Sequence, residues 1–151
     1  MRQTNQRAAL IAIFLFAATG STALGEMAAS GDPKPDPSLR QVLLVRQDQS
    51  DCSNSNVSSS DPSLDRGVVW VSRGSDGITR VKIAMTASPN TTYHFFLKCV
   101  RILGDIKTQD EGDGNTAFEF PTNSVGDVYA FDMYPEGAPA GNKFQSVQVK
   151  Y

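Results

Sequence analysis

The chain has one histidine, His94, and two cysteines, Cys52 and Cys99. Zinc and copper sites use several histidine or cysteine ligands, so this shortage excludes the usual zinc and copper enzymes. A serine nucleophile needs a base and an orienting group beside it, and no Gly-x-Ser-x-Gly motif surrounds any serine of the sequence. We therefore assign no catalytic residue and interpret the protein as a non-enzyme.

No apolar run reaches the roughly 20 residues that a membrane-spanning helix needs. The longest run covers residues 8–19, follows Arg2 and Arg7, and is succeeded by the small residues of 21–25. A short basic lead, an apolar centre and small residues are the features of a secretory signal peptide. We predict a signal peptide over 1–25, a secreted or periplasmic protein, and no membrane span.

Residues 26–39 contain three prolines in alternation, at Pro33, Pro35 and Pro37, among small and charged neighbours. This composition is typical of an extended tether. Residues 40–151 then have the length of one ordinary domain.

Basic residues are neither abundant nor clustered. The formal net charge is −2, and removal of Arg2 and Arg7 with the leader takes it to −4. Nucleic acids and anionic membranes attract clustered lysine and arginine, so we expect neither as the main partner.

The two cysteines predict a disulfide, because an even pair in an exported chain is usually bridged. Cys52 would then pin the long polar loop 47–66 to the body of the domain, which a loop of that length needs. Alternation along 91–103 places Cys99 on the core face with Tyr93 and Phe95. The alternative is one buried and one exposed thiol, since the sequence contains no information on the Cα separation.

Short alternating segments separated by turn signals fill the rest of the chain, and no helical period is evident. Turn-spaced strands with one apolar face predict an all-β fold, an antiparallel Ig-like β-sandwich of seven to eight strands, with a partly open barrel as the alternative. The hairpin of 67–73 and 78–86 around Gly74-Ser-Asp-Gly77 is the clearest. The predicted strands are 41–46, 67–73, 78–86, 91–103, 104–108, 116–120, 128–133 and 144–151.

Three aromatic residues are candidates for ligand binding. Trp70 and Phe96 lie opposite the apparent core faces of their strands, and Tyr134 precedes the Gly/Pro/Ala-rich loop 135–142. Exposed aromatic rings can pack on sugar rings or on an apolar partner. The alternative is that both faces are covered and these rings belong to the core.

Acidic residues concentrate in one turn, where Asp110, Glu111, Asp113 and Asn115 bring together the oxygen ligands that calcium prefers. Their spacing differs from that of an EF-hand loop. The alternative is a solvated hairpin turn in which Gly112 and Gly114 supply positive φ and the acidic side chains face water. Calcium is the one cofactor that the sequence leaves open.

Three segments carry a family resemblance: Asn90-Thr-Thr-Tyr-His-Phe-Phe-Leu, then Leu103-Gly-Asp-Ile-Lys-Thr, then Gly112-Asp-Gly-Asn-Thr-Ala-Phe. Over residues 67–133 the chain resembles secreted bacterial Ig-like β-sandwich domains. The resemblance implies the fold and no reaction, so it supplies no catalytic residues.

These observations favour a secreted, non-catalytic binding or structural module for a protein or carbohydrate ligand. The alternative is a small calcium-dependent carbohydrate-active protein or hydrolase that uses Trp70 and the turn 110–115.

Overall fold

The computed structural model describes residues 36–49, 51–139 and 141–151. The predicted signal peptide over 1–25 lies outside these residues, as does most of the predicted tether over 26–39. Residues 36–38 lead directly into the first strand, which begins at Leu39. No helix in the described ranges has the length and apolar character needed to cross a membrane.

The described chain is an antiparallel all-β structure with two short 3₁₀ turns, at Pro62–Leu64 and Thr122–Ser124, which confirms the predicted fold class. Ten strands are present rather than seven or eight, because several predicted strands are divided. They are β1 (Leu39–Val45), β2 (Asp65–Arg73), β3 (Ile78–Thr86), β4 (Thr92–Leu97), β5 (Arg101–Lys107), β6 (Asp113–Pro121), β7 (Val128–Tyr129), β8 (Phe131–Pro135), β9 (Phe144–Ser146) and β10 (Val149–Lys150).

Eight of these strands form one large sheet in the order β5-β4-β8-β9-β1-β2-β3-β6, and β7 pairs with β10. The sheet curls until its two outer strands, β5 and β6, lie side by side. Phe95 of β4 and Phe118 of β6 stack across the interior with ring centroids 5.6 Å apart. The fold is therefore sandwich-like, and its large sheet is nearly closed.

The hairpin of β2 and β3 has the predicted partners, with Val69 opposite Ile83 and Val71 opposite Val81. Gly77 has φ 77°, a left-handed conformation that glycine adopts without strain. All four of these apolar residues are buried, so the predicted alternation of β2 and β3 is confirmed.

The core is one continuous cluster of side chains from both parts of the curled sheet. Phe95 lies at its centre and stacks on Phe131 as well as on Phe118, with 5.2 Å between the Phe95 and Phe131 centroids. Tyr93 and Leu97, which share the inner face of β4 with Phe95, are fully buried. Burying large rings in this way supplies most of the apolar area that stabilises the domain.

The predicted strand over 91–103 is wrong at its centre. β4 ends at Leu97, and residues 98–100 form a turn in which the Val100 amide donates to the Leu97 carbonyl oxygen at 3.0 Å. Cys99 has φ 58° and is exposed, not inward-facing. The left-handed residue reverses the chain, so the alternation that places Tyr93 and Phe95 inward does not extend to Cys99.

Two later predicted strands are also divided. Ala130 separates β7 from β8, and the predicted strand over 144–151 is interrupted after Ser146. The Val147 amide still donates to the Leu43 carbonyl oxygen at 3.0 Å, and Val149 then pairs with Tyr129. The chain thus leaves the large sheet to form the small one.

Cys52 and Cys99 form the predicted disulfide, with 5.5 Å between their Cα atoms. Beside this bond, Asn54 is fully buried and its Nδ2 donates to the Ser146 carbonyl oxygen at 2.9 Å. One covalent link and one buried amide therefore hold the loop between β1 and β2 against the ends of β4 and β9.

We predict that Gly104→Ala destabilises the domain by about 1–3 kcal/mol, the usual range for overpacking. A Cβ at Gly104 would lie 2.5 Å from Cε1 of Phe118, and its φ of 155° strains any other residue. Denaturant unfolding measures the change. Gly126→Ala is the control, because a Cβ there meets no atom within 4 Å. Equal stability of the two variants would contradict the packing of β5 against β6.

We predict that the Cys52→Ser, Cys99→Ser double variant loses about 2–5 kcal/mol of unfolding free energy, the range typical of native disulfides in small secreted domains. The loop between β1 and β2 should also become more sensitive to proteolysis, since only noncovalent contacts, among them those of the buried Asn54, would then hold it. Reductant should weaken the original protein and leave the double variant unchanged. An original protein indifferent to reductant would refute the prediction.

Candidate functional site

The outer face of the sheet carries a pair of stacked aromatic rings. Phe96 of β4 and Tyr134 of β8 point outward. The residue that precedes each of them, Phe95 on β4 and Met133 on β8, points into the core. Their ring centroids are 4.7 Å apart with an interplanar angle of 20°. Both residues are partly exposed, so we call this pair the aromatic platform.

The aromatic platform is bordered by groups of different character. Ile102 of β5, opposite Phe96, is 50% exposed and extends the apolar surface. The Lys143 ammonium group lies 5.8 Å from the centroid of the Tyr134 ring, within the range of a cation–π contact. This border gives the platform an apolar side and a charged side.

His94 lies beside the platform on β4. Its Nδ1 is 2.7 Å from Oδ1 of Asp105 on β5, so the only histidine of the chain is engaged by a carboxylate across the strand pair. We assign it no catalytic role.

A cavity of about 410 Å³ adjoins Tyr134. Its charged and amide-bearing lining residues come from the loop after β1, from the turn after β4, and from β8, β9 and the segment before β9. We call this cavity the polar pocket; its polar residues are Asp48, Gln49, Lys98, Asp132, Lys143 and Gln145.

Lys98 lines the polar pocket and is only 8% exposed. Its Nζ donates to the Gln49 carbonyl oxygen at 2.8 Å and to Oδ1 of Asn54. Gln145 holds Gln49 in place, because its Oε1 accepts from the Gln49 amide at 2.8 Å and its Nε2 donates to the Gln49 carbonyl oxygen at 2.9 Å. The loop after β1 is thereby built into the wall of the pocket.

Asp132 lies against this network and is mostly buried, with its side chain 17% exposed. Its Oδ1 is buried and accepts no hydrogen bond, and Lys98 Nζ, at 3.5 Å, lies within ion-pair range but beyond normal hydrogen-bond length. Burial raises the pKa of the Asp132 carboxyl, and the charge of Lys98 together with the nearby donors of Lys98, Asn54 and Gln145 opposes this shift without cancelling it. Three other buried side-chain atoms of the described ranges, Asp65 Oδ1, Arg73 Nε and the Tyr129 hydroxyl, also lack a partner, so this state alone does not mark a site.

Trp70 lies elsewhere. It is on the outer face of β2, between Gln41 of β1 and Lys82 of β3, and is partly exposed beside shallow grooves of about 780 and 500 Å³. In the sheet order, β9 and β1 separate β2 from β8. The structure therefore brings together Phe96 and Tyr134 and places Trp70 on a different surface.

The acidic turn connects β5 to β6. Asp110 and Glu111 are exposed, Gly112 has φ 88°, and Oδ1 of Asp113 accepts from the Thr86 hydroxyl at 2.7 Å. Asn115 is exposed on β6. Over 36–49, 51–139 and 141–151, no three His, Cys, Asp or Glu residues group closely enough to hold a metal ion. The calcium site stays a prediction.

Sequence reasoning did not propose Lys98, Asp132 or Gln145 as parts of a binding site. Alternation does contain one usable signal, since Asp132 shares the outer face of β8 with Tyr134. A charged residue two positions from an outward aromatic residue marks a mixed apolar and polar surface. The burial of Lys98, in contrast, depends on the loop after β1, which is distant in sequence.

No family model matches the chain, and a search of curated proteins found no match. The resemblance to secreted bacterial Ig-like domains stays a prediction.

We predict that Asp132→Asn raises the thermal midpoint at neutral pH, because it removes a charge whose burial the folded state disfavours. The pKa of Asp132 is higher in the folded than in the unfolded state, so the folded state binds the extra proton and wild-type stability recovers as the pH falls through the raised pKa. The gain of the variant should therefore shrink toward about pH 4, close to the reference pKa of Asp.

Thermal melting across this pH range tests the prediction. Asp127→Asn is the matched control, because the Asp127 side chain is 76% exposed and makes a surface ion pair with Arg73. If Asp132→Asn melts below the wild type at neutral pH, attraction to Lys98 outweighs the burial of the carboxylate and the prediction is wrong.

Proposed function

We propose that the protein is a secreted, non-catalytic binding module whose ligand contacts the aromatic platform and the polar pocket. The observation that carries this proposal is one cavity that places the aromatic ring of Tyr134 beside the Asp132 carboxylate and the Lys143 ammonium group. Ligand sites in proteins typically combine an apolar or aromatic wall with a few polar groups that orient the ligand.

Neither ring of the platform is needed to fill the core. Phe95, Phe131 and Met133 already occupy the inner face of β4 and β8 and are fully buried. Phe96 and Tyr134 form a separate aromatic surface on the opposite face, and such surfaces frequently serve as interaction sites.

Binding without reaction is supported by the hydrogen bonds of Lys98, the buried lysine of the pocket. A catalytic lysine must present a free amine, but Nζ of Lys98 is already directed to the Gln49 carbonyl oxygen and to Asn54 Oδ1. Lys98 therefore positions the loop after β1 and leaves recognition to its neighbours.

Export is supported by the disulfide between Cys52 and Cys99, since disulfides form and persist in oxidising compartments. The signal peptide predicted over 1–25 supports the same location. Periplasmic and extracellular locations are both compatible with these two features.

We predict that small probe molecules bind preferentially at this site. A library of neutral, acidic, basic and aromatic fragments, screened by NMR against the ¹⁵N-labelled protein, should shift the amide signals of Phe96, Lys98, Asp132 and Tyr134. Tyr134→Ala should weaken the bound fragments about tenfold, or ~1.4 kcal/mol, because it removes the aromatic wall.

Trp70→Ala is the matched aromatic control, since Trp70 lies on another surface, and it should leave these affinities unchanged. Fragments that cluster around Trp70, or that bind Tyr134→Ala as well as the original protein, would refute the proposed site.

A further inference from the structure

We infer that the polar pocket takes a neutral saccharide, with one sugar ring packed against Tyr134 and a hydroxyl of that ring donated to the Asp132 carboxylate, whose side chain is 17% exposed. This inference rests on the proposed function, because it names the ligand class of the same site. It follows from the charge, the hydrogen-bonding state and the shape of the pocket.

The charges of the pocket compensate one another. Lys143 Nζ lies 3.0 Å from Oδ2 of Asp48, and Lys98 Nζ lies 3.5 Å from Oδ1 of Asp132. Two carboxylates and two ammonium groups leave no excess of either sign among the charged lining residues. An ionic ligand would meet one like charge for each opposite one, whereas a neutral ligand meets no net repulsion.

The hydrogen-bonding state of the pocket selects a ligand that donates. Lys98 and both side-chain atoms of the Gln145 amide are engaged with the loop after β1, whereas the partly exposed side chain of Asp132 presents a carboxylate, which when ionised can only accept. A carboxylate or phosphate ligand lacks the required donor and would be repelled by Asp132. An ammonium ligand has donors but would approach Lys98 and Lys143. A hydroxyl donates without adding charge.

The walls of the pocket suit a molecule that is polar at its edge and apolar on its face. Tyr134, Ala138 and Phe144 line one part of it. A sugar ring has this division, with hydroxyls around its edge and C–H groups on its faces. The volume of about 410 Å³ lies within the roughly 300–1,000 Å³ typical of small-molecule sites.

The burial of the Asp132 carboxylate also fits a role in binding. The Asp132 side chain is mostly buried, and this burial raises the pKa of its carboxyl, so its charged form is disfavoured in the fold. Groups that lower stability are characteristic of binding and catalytic sites.

The test is a titration of the ¹⁵N-labelled full chain with hexasaccharides, followed by NMR and calorimetry. The neutral probes are cellohexaose, xylohexaose, mannohexaose, laminarihexaose and chitohexaose; the charged comparators are hexagalacturonate and the glucosamine hexamer. We expect at least one neutral probe to shift the amide signals of Lys98, Asp132 and Tyr134, with at least tenfold higher affinity than either charged comparator.

Variants assign the contact. Asp132→Ala should weaken the bound neutral saccharide at least tenfold, and Asp132→Asn, which keeps an acceptor oxygen without the charge, should weaken it less. Tyr134→Ala, at a partly exposed position, should also weaken it and covers the case in which Asp132→Ala does not fold. Asp127→Ala, which removes an exposed carboxylate outside the pocket, is the control and should bind as the original protein does.

The outcomes separate this inference from the proposed function. If fragments bind at the pocket but no neutral hexasaccharide does, or if a charged comparator binds more tightly, the saccharide inference is overturned and the binding module stands. If neither fragments nor saccharides shift the pocket residues, both proposals fail. Saccharide binding that is unchanged by Asp132→Ala and Tyr134→Ala overturns the assigned contacts.

Discussion

The link between the loop after β1 and the turn after β4 is the constraint on which the rest of the site depends. The Cys52–Cys99 disulfide joins these two segments covalently, and Asn54 anchors the same loop through a hydrogen bond to the Ser146 carbonyl oxygen. Because Lys98 immediately precedes Cys99, this link also brings its ammonium group to the Gln49 carbonyl oxygen. A loop that would otherwise be long and polar thereby becomes a wall of the pocket.

The proposed function gives the buried charges next to this link a role other than stability. Removing two charges from water costs several kcal/mol per ion, and the attraction between them often fails to recover that cost. Lys98 is compensated by two neutral oxygen acceptors, whereas Asp132 keeps an acceptor without a donor. An apolar residue in place of Asp132 would avoid the cost of burying a carboxylate, but in the proposed function it would offer nothing that orients a polar ligand.

Local patterns were sufficient to predict the parts of the fold that depend on neighbours in sequence. The alternation of Val81, Ile83 and Met85 and the turn at Gly77 define the β2–β3 hairpin correctly. Alternation failed at Cys99, because one left-handed residue reverses the chain and ends the period of two. The disulfide itself was predicted from compartment and cysteine count, which do not depend on that local conformation.

The site was only partly predictable, because it depends on which strands become neighbours. Phe96 and Trp70 have the same sequence signal, an aromatic residue opposite an apolar face, yet only Phe96 meets a second outward aromatic residue, since β4 pairs with β8. Trp70 lies between the side chains of Gln41 and Lys82, because β2 pairs with β1 and β3. An outward aromatic residue becomes part of a larger aromatic surface when a cross-strand neighbour extends it. The pairing of strands that are distant in sequence therefore determines whether an outward aromatic residue has an aromatic neighbour.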